Sequence, residues 1–448
     1  MYNVLCTMYI VPNTLYILNI PSQKIIFVES LVRKGKVKGA ITVPSSKSIL
    51  QRFLVAALLS EDETELHAVS HCSDTISCLN AVQTLGAKVI EEKDGLLKIK
   101  GSGKSIHAMA HEINCGESGF ALRALTAVAA LSGVEIEMTG SGTLLNRPVG
   151  FMTDVLSQLG VQCNSDNGWL PLRLKGPVKF RNIVVDGSLS SQFLSGLLMI
   201  FPLADEDHVI EVRSLKSLQY IDLTLEVLKN FGVEIKNQNY MRFMISGRQH
   251  YKGCKVSVEG DWSSASCMLV AGATTGEVMI KNLSLKSSQP DKIMLQVLKE
   301  SGAEVLFGEN EISVKKPDQK KLKPFYFDAT DCPDLFPALT VLATQCSGTS
   351  EIAGVERLIH KESNRAIALQ QEFSKLGGLI SIEGNTMKIE GSRLKGAAVH
   401  SHHDHRIAMA LAIAGLNTEG EVVIADSEAV DKSYPEFFND LSRIITYE

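Results

Sequence analysis

The sequence predicts an α/β chain assembled from six related subdomains, and three observations carry that prediction. A helical apolar stripe that stops at a glycine recurs along the chain, the glycines being Gly86, Gly160, Gly232, Gly302 and Gly377, spaced 70–75 residues apart. Strand-like runs follow these glycines, and one further step of the period reaches a sixth stripe at the chain end. A second segment, 185–191, returns 73 residues later as 258–264.

The stripes are Ile76-Leu79-Val82-Leu85, Val155-Leu156-Leu159, Leu225-Leu228-Phe231, Leu295-Leu298 and Leu369-Phe373-Leu376, with Phe437, Phe438, Leu441 and Ile444 as the sixth. Apolar residues three or four apart share one helix face. The glycine after them can take the left-handed conformation that ends a helix. Ala87-Lys88-Val89-Ile90, Val233-Glu234-Ile235 and Ala303-Glu304-Val305 then read as strands. Such a unit is too long for a solenoid repeat, and alternating elements favour sheets covered by helices. A chain of 448 residues implies two or three domains. Three units per domain is the simple division, and periodicity leaves their arrangement open.

Composition narrows the function. The chain is 45% hydrophobic and 21% charged, which excludes wholesale disorder. A net charge of −5 supplies no global field for nucleic acid or an acidic membrane, so an anion site has to be a local gathering of cations. The nine cysteines form no CxxC pair and no zinc spacing, and read as reduced, mostly buried thiols of a cytosolic protein. Residues 1–23 carry no charge. They lack the basic region of a secretory signal, and polar residues interrupt any spanning helix. Residues 1–32 are therefore expected to be an N-terminal extension.

Several glycine- and serine-rich turns lead into apolar helices. Ser45–Arg52 follows a strand and a Pro44 turn, placing Lys47 and Arg52 on the opening turns of a helix whose free N–H groups suit an anion. Cys115–Arg123 repeats the arrangement with Arg123, and Arg147 precedes Pro148. Asp186–Gln192 offers short uncharged donors. Asp334 stands before the apolar run Leu335–Ala343, where an acid can simply cap the helix. Lys361, Glu362 and Arg365 crowd into six residues, and Lys432 adds a cation near the end. His400, His402, His403 and His405 look metal-like, but Arg406 beside them would repel a cation, and no further cluster completes ligand spacing. No metal is expected. Gly101–Ser105 mimics a phosphate loop, yet Lys98 stands where its first glycine belongs, so that reading is rejected.

In order, the segments PSSKSILQR (44–52), CGESGFALR (115–123), NRP (146–148), DGSLSSQF (186–193), SLQYID (217–222), EGDWSSAS (259–266), CPD (332–334), HKESNR (360–365), DHRIAMA (404–410) and DKSYPEFF (431–438) resemble the 5-enolpyruvylshikimate-3-phosphate synthases (3-phosphoshikimate 1-carboxyvinyltransferases). The resemblance covers about residues 33–448. It implies two domains of three βαβαββ units each with an active-site cleft between them, residues 33–45 plus 261–448 forming one and 46–260 the other. It implies enolpyruvyl transfer from phosphoenolpyruvate to the 5-hydroxyl of shikimate 3-phosphate, by addition and elimination through a tetrahedral intermediate, with no cofactor. Closure of the domains would follow shikimate 3-phosphate and favour phosphoenolpyruvate.

By family position, Lys47, Ser48, Arg52, Ser190, Ser191, Gln192, Ser217, Tyr220, Asp334 and Lys361 would hold shikimate 3-phosphate. Lys47, Gly119, Arg147, Gln192, Arg365, Arg406 and Lys432 would hold phosphoenolpyruvate. Asp334 would be the base, Glu362 the acid and Lys47 a sharer of proton transfer, with Arg123 and His405 in support. A cytoplasmic monomer is implied, with small-molecule substrates and neither nucleic acid nor membrane as partner. Two competing readings are a UDP-N-acetylglucosamine enolpyruvyl transferase and a non-catalytic anion-binding homologue. The first has an asparagine after its first lysine, where Ser48 stands here, and Asp334, Glu362 and Lys432 speak against the second.

Two departures bear on the site. Many members have GNAGT where this chain has Gly116-Glu117-Ser118-Gly119-Phe120. A carboxylate at 117 would oppose anionic ligands unless it pairs with a cation or turns away. Gly119 is unbranched, which implies sensitivity to glyphosate, an inhibitor of the phosphoenolpyruvate site.

Overall fold

The computed structural model describes residues 14–20, 23–308, 311–318 and 321–447; residues 1–13 of the uncharged N-terminal run lie outside them. The described strands form six sheets with one shared pattern. In one sheet, Glu112–Asn114 runs parallel to Glu135–Thr139, Trp169–Lys175 is antiparallel to that strand, and Gln162–Asp166 closes the edge antiparallel to Trp169–Lys175. A helix, Gly119–Ala129, follows the first strand, and Gly150–Gln158 follows the second. This is the βαβαββ unit.

The periodic stripes fall on the second helix of each unit: Ser73–Thr84, Gly150–Gln158, Gln219–Asn230, Met294–Glu300, Arg365–Lys375 and Phe437–Ile444. The terminating glycines take the left-handed region, from φ 71° at Gly160 to φ 114° at Gly86. There a residue with a Cβ would be strained.

The first helices behave differently. Lys47–Leu58, Gly119–Ala129, Ser191–Ile200, Trp262–Thr275, Phe336–Thr344 and His405–Gly415 are apolar on all sides and buried almost throughout, as expected of helices enclosed by other elements. Only Lys47, Ser48 and Gln192, all on opening turns, keep partial exposure. The 185–191 and 258–264 echo is the junction between a first strand and its buried helix.

The chain divides into two compact units, one of residues 1–43, 262–285 and 291–448, the other of 44–261 and 286–290. Each holds three sheets and its own apolar core. At the crossing points the units trade first strands. Gly35–Thr42 pairs in parallel with Glu277–Lys281, and Lys255–Ser257 with Glu63–His67.

Within the stretch 1–32, expected to be an N-terminal extension, residues 14–20 and 23–32 contribute to the repeat. Strands Thr14–Ile20 and Gln23–Val32 form a hairpin, and the second pairs antiparallel with Val422–Ala425. After the sixth unit's second helix, Ile445–Tyr447 pairs with Gly35–Thr42 and makes no hairpin for that unit's sheet. The N-terminal one satisfies the backbone edge that would otherwise stand open. Among the described residues no helix is long and apolar enough to cross a membrane. The described cysteines are all free, and six of them are buried.

Candidate active site

Polar and charged side chains gather at the N-terminal ends of the buried helices, where unpaired N–H groups and the helix dipole favour negative charge. Each unit has one such gathering.

In the unit of residues 44–261, Lys47 Nζ donates to Asp74 Oδ2 at 2.9 Å, and its backbone N–H donates to Asp261 Oδ2 at 3.0 Å. Gln51 Nε2 links two helix starts by donating to Ser118 Oγ at 2.6 Å. Arg123 donates from Nη1 to Gln192 Oε1 at 2.7 Å, joining the Gly119 and Ser191 helices. Arg147 is buried beside them. A Cβ at Gly119 would lie 2.8 Å from Arg147 Nη1 and 3.2 Å from Arg123 Nη1. Gly119 is therefore the floor on which two guanidinium groups rest.

Arg52 is fully buried, with Nε donating to Thr224 Oγ1 at 2.9 Å, Nη1 to the Ser48 carbonyl at 2.7 Å and Nη2 to the Tyr220 carbonyl at 3.1 Å. Its guanidinium carbon lies 4.5 Å from the Phe120 ring centroid and 5.9 Å from that of Tyr220. Burial lowers the Arg52 pKa to about 10, offset in part by Tyr220, so the group stays cationic near neutrality. Ser48 sits on the same opening turn, and Ser217 is buried in a left-handed conformation just before the Tyr220 helix. Ser190 caps the Ser191 helix by accepting from the Gln192 N–H, and Ser191 is buried behind it. Glu117 turns its carboxylate onto Thr143, accepting from the backbone N–H at 2.9 Å and the hydroxyl at 2.7 Å.

The other unit holds a denser ionic cluster. Arg365 has no exposed side-chain surface and touches three carboxylates: Asp404 from Nε at 2.9 Å, Asp334 from Nη1 at 2.9 Å, and Glu362 from Nη2 at 2.7 Å. Asp334 also receives Lys361 Nζ at 3.2 Å and lies 3.4 Å from Arg406 Nη2. The acid that could have been a cap is a junction for three cations. Burial pushes its pKa up, but Arg406, Lys361 and Arg365 outweigh that and hold it well below the usual carboxylate range. Burial lowers the Lys361 pKa, with Asp334 opposing.

Asp404 caps the His405 helix through the Arg406 N–H at 3.0 Å while it holds Arg365. His405 is buried just inside this cap. Lys432, also buried, ends the turn Ser427–Lys432, which packs on the His405 helix. The neighbouring histidines bind acids: His402 pairs with Glu372 and His403 with Asp426. Among the described residues no group of three or more metal-ligating side chains could hold an ion.

Within the first gathering fall Lys47, Ser48, Arg52, Gly119, Arg123, Arg147, Ser190, Ser191, Gln192, Ser217 and Tyr220; within the second fall Asp334, Lys361, Glu362, Arg365, His405, Arg406 and Lys432. Sequence reasoning assigned no role to Asp74 or Asp404, the acids that hold Lys47 and Arg365. Asp404 did lie inside the matched DHRIAMA segment.

A family model described as EPSP synthase (3-phosphoshikimate 1-carboxyvinyltransferase) matches residues 32–441. A 3-phosphoshikimate 1-carboxyvinyltransferase from Clostridium acetobutylicum is 38% identical over 91% of this chain and 95% of its own length. One from Methanosarcina acetivorans is 37% identical over 92% and 97%. Among solved structures, an EPSP synthase from Acinetobacter baumannii superposes with a TM-score of 0.78 at 25% identity, covering 93% of this chain and 99% of that one. An enolpyruvyl transferase from Streptomyces tendae shares the fold at a TM-score of 0.75 and 17% identity, over 94% and 98%.

Proposed function

This chain belongs to the EPSP synthase (3-phosphoshikimate 1-carboxyvinyltransferase) family, and from that premise we propose how its residues divide the work of transferring the enolpyruvyl group of phosphoenolpyruvate to shikimate 3-phosphate. The observation that carries the proposal is the cluster in which Arg365 joins Asp334 to Glu362 while Lys361 and Arg406 flank Asp334. An acid, a base and three anion-binding cations stand together in it.

The substrates bring two phosphates and two carboxylates, which call for directional cations. Lys47, Ser48, Arg52, Ser190, Ser191, Gln192, Ser217, Tyr220, Asp334 and Lys361 hold shikimate 3-phosphate. Lys47, Gly119, Arg147, Gln192, Arg365, Arg406 and Lys432 hold phosphoenolpyruvate. Arg123 supports Gln192, and His405 supports Arg406.

Addition begins when the 5-hydroxyl oxygen bonds to C2 of phosphoenolpyruvate. Asp334 takes the hydroxyl proton and Glu362 gives a proton to the methylene carbon, leaving a tetrahedral intermediate. Elimination returns a proton from that carbon to Glu362, reforms the double bond and expels phosphate, which carries away the proton that Asp334 took. Lys47 stabilises the charge that develops and shares in proton transfer. A carboxylate held by three cations is a weak base. Substrate oxygens that engage Lys361 and Arg406 loosen their grip on Asp334 and raise its basicity. A cytoplasmic monomer, acting without nucleic acid, membrane or cofactor, is the setting this reading implies.

The test is phosphate release from phosphoenolpyruvate by the parent protein and by Asp334→Ala and Glu362→Ala. Release should require shikimate 3-phosphate and fall by about 10²–10⁴ in each variant, the range for a lost general acid or base. Release without the second substrate, or at the parent rate in either variant, would refute the assignment.

A further inference from the structure

The histidine-rich loop before the His405 helix is tied at two points to elements that carry substrate cations. Glu372, buried on the helix that begins with Arg365, accepts the His400 backbone N–H at 2.9 Å and pairs with His402 Nε2 at 2.7 Å. Asp426, which leads into the turn ending at Lys432, accepts the His403 backbone N–H at 2.7 Å and pairs with His403 Nδ1 at 2.9 Å. Ser401 donates its hydroxyl to the same Asp426 carboxylate. The loop then delivers Asp404 onto Arg365 and starts the helix that carries Arg406.

The backbone makes these ties necessary. His402 and His403 both adopt the left-handed region, at φ 57° and 54°, and Asp426 does so at φ 61°. Side-chain-bearing residues enter that region at a cost, even in a turn that takes two of them in succession, and the surroundings then help to hold them. Here the surroundings are Glu372 and Asp426.

We propose that Glu372 and Asp426 are positioning residues which, through His402 and His403, set Asp404 and so fix Arg365, Arg406 and Lys432 relative to one another. One loop thereby registers the three cations read above as holding phosphoenolpyruvate, and the inference rests on that reading. The ties touch no substrate. Their effect falls first on the substrate held by those cations, and reaches shikimate 3-phosphate only through Asp334, which Arg365 and Arg406 also touch.

The test is the double substitution His402→Gly and His403→Gly. Glycine takes the left-handed conformation freely, so the loop path is permitted while both side-chain ties are lost. Glu372 keeps Lys375, which donates to both its oxygens at 2.8 and 2.7 Å, so its buried charge stays paired. The KM for phosphoenolpyruvate should rise about tenfold, with the KM for shikimate 3-phosphate within about twofold of the parent. Amide exchange across 400–406 should quicken by a similar factor. The single variant His402→Gln, whose amide can still donate to Glu372, should recover most of the loss caused by His402→Gly. A phosphoenolpyruvate KM within twofold of the parent, or an equal rise for both substrates, overturns the proposal. A parent that released no phosphate would instead overturn the functional reading. Exchange at 400–406 would then decide alone, unchanged exchange in the double variant overturning the brace.

Discussion

The Nε of Arg365 lies 2.9 Å from Oδ2 of Asp404, and neither side chain has exposed surface. Their segments are far apart in sequence, and each starts a helix: Arg365 is the first residue of one, and Asp404 caps the other. A buried cation is tolerable only while its carboxylates remain. The cap and the counter-ion are here one group.

Replacement of that group separates the two duties. Asp404→Asn keeps an acceptor for the Arg406 N–H but removes the charge facing Arg365, and should cost roughly 3 kcal/mol of unfolding free energy. Asp404→Ala should cost about 1 kcal/mol more, the usual value of a lost N-cap. Urea denaturation measures both. A loss below about 0.5 kcal/mol, typical of an ordinary surface substitution, would show that Glu362 and Asp334 suffice.

Asp334→Asn removes the carboxylate that three cations share. Turnover should drop by about 10²–10⁴, while phosphoenolpyruvate binds as well or better, because those cations lose a competing anion. Steady-state kinetics and isothermal titration separate the two effects. Weaker binding together with normal turnover would contradict the assignment.

The same residue sets a pH dependence. Its folded pKa is depressed well below the unfolded value of ~3.9, so its stabilisation is complete above that value and lost as pH falls through the folded one. The stability gap between the parent and Asp334→Asn should therefore be constant near neutrality and shrink only under strong acid. A gap that did not change with pH at all would mean an ordinary carboxylate, and a parent that gained on the variant as pH fell would mean a raised one.

Gly119→Ala puts a methyl group against Arg147 and Arg123. Both contacts are the mobile ends of long side chains, so the guanidinium groups move and the backbone stays. The KM for phosphoenolpyruvate should rise about tenfold with stability changed by less than about 1 kcal/mol. Glyphosate should compete with phosphoenolpyruvate in the parent and inhibit this variant less. Non-competitive inhibition of the parent would place the inhibitor elsewhere.

Phe120→Leu keeps an apolar side chain but removes the ring beneath Arg52. A buried cation–π contact contributes about 0.5–2 kcal/mol. The KM for shikimate 3-phosphate should rise about three- to tenfold, with that for phosphoenolpyruvate nearly unchanged. Equal effects on both would mean that Phe120 shapes the phosphoenolpyruvate side instead.

Local signals made the repeat legible. A stripe and its terminal glycine lie within one helix, and the left-handed φ of Gly86, Gly160, Gly232, Gly302 and Gly377 is what a single residue type can announce. The site cations were legible for the same reason, since most lie at or within two turns of a helix start. Their counter-ions were not. Asp74 and Asp404 reach Lys47 and Arg365 from other elements, 27 and 39 residues away, and nothing in either local sequence names its partner. The histidines looked metal-like, although no metal was expected, because spacing records which groups are near one another but not which way they face. In the structure they face Glu372 and Asp426. The N-terminal hairpin was illegible because its pairing strand, Val422–Ala425, lies almost a full chain length away.

The strand exchange and the N-terminal hairpin also impose an order on synthesis. By the time Lys255–Ser257 has left the ribosome, every strand of the sheets in the 44–261 unit exists. Gly35–Thr42, made far earlier, has to wait for Glu277–Lys281 and then for Ile445–Tyr447, and the hairpin at 14–32 waits for Val422–Ala425. The unit that holds the first strands made is thus the last to mature, Gly35–Thr42 staying unpartnered until Glu277–Lys281 emerges, and a stop codon a few residues early would leave one edge of Gly35–Thr42 bare.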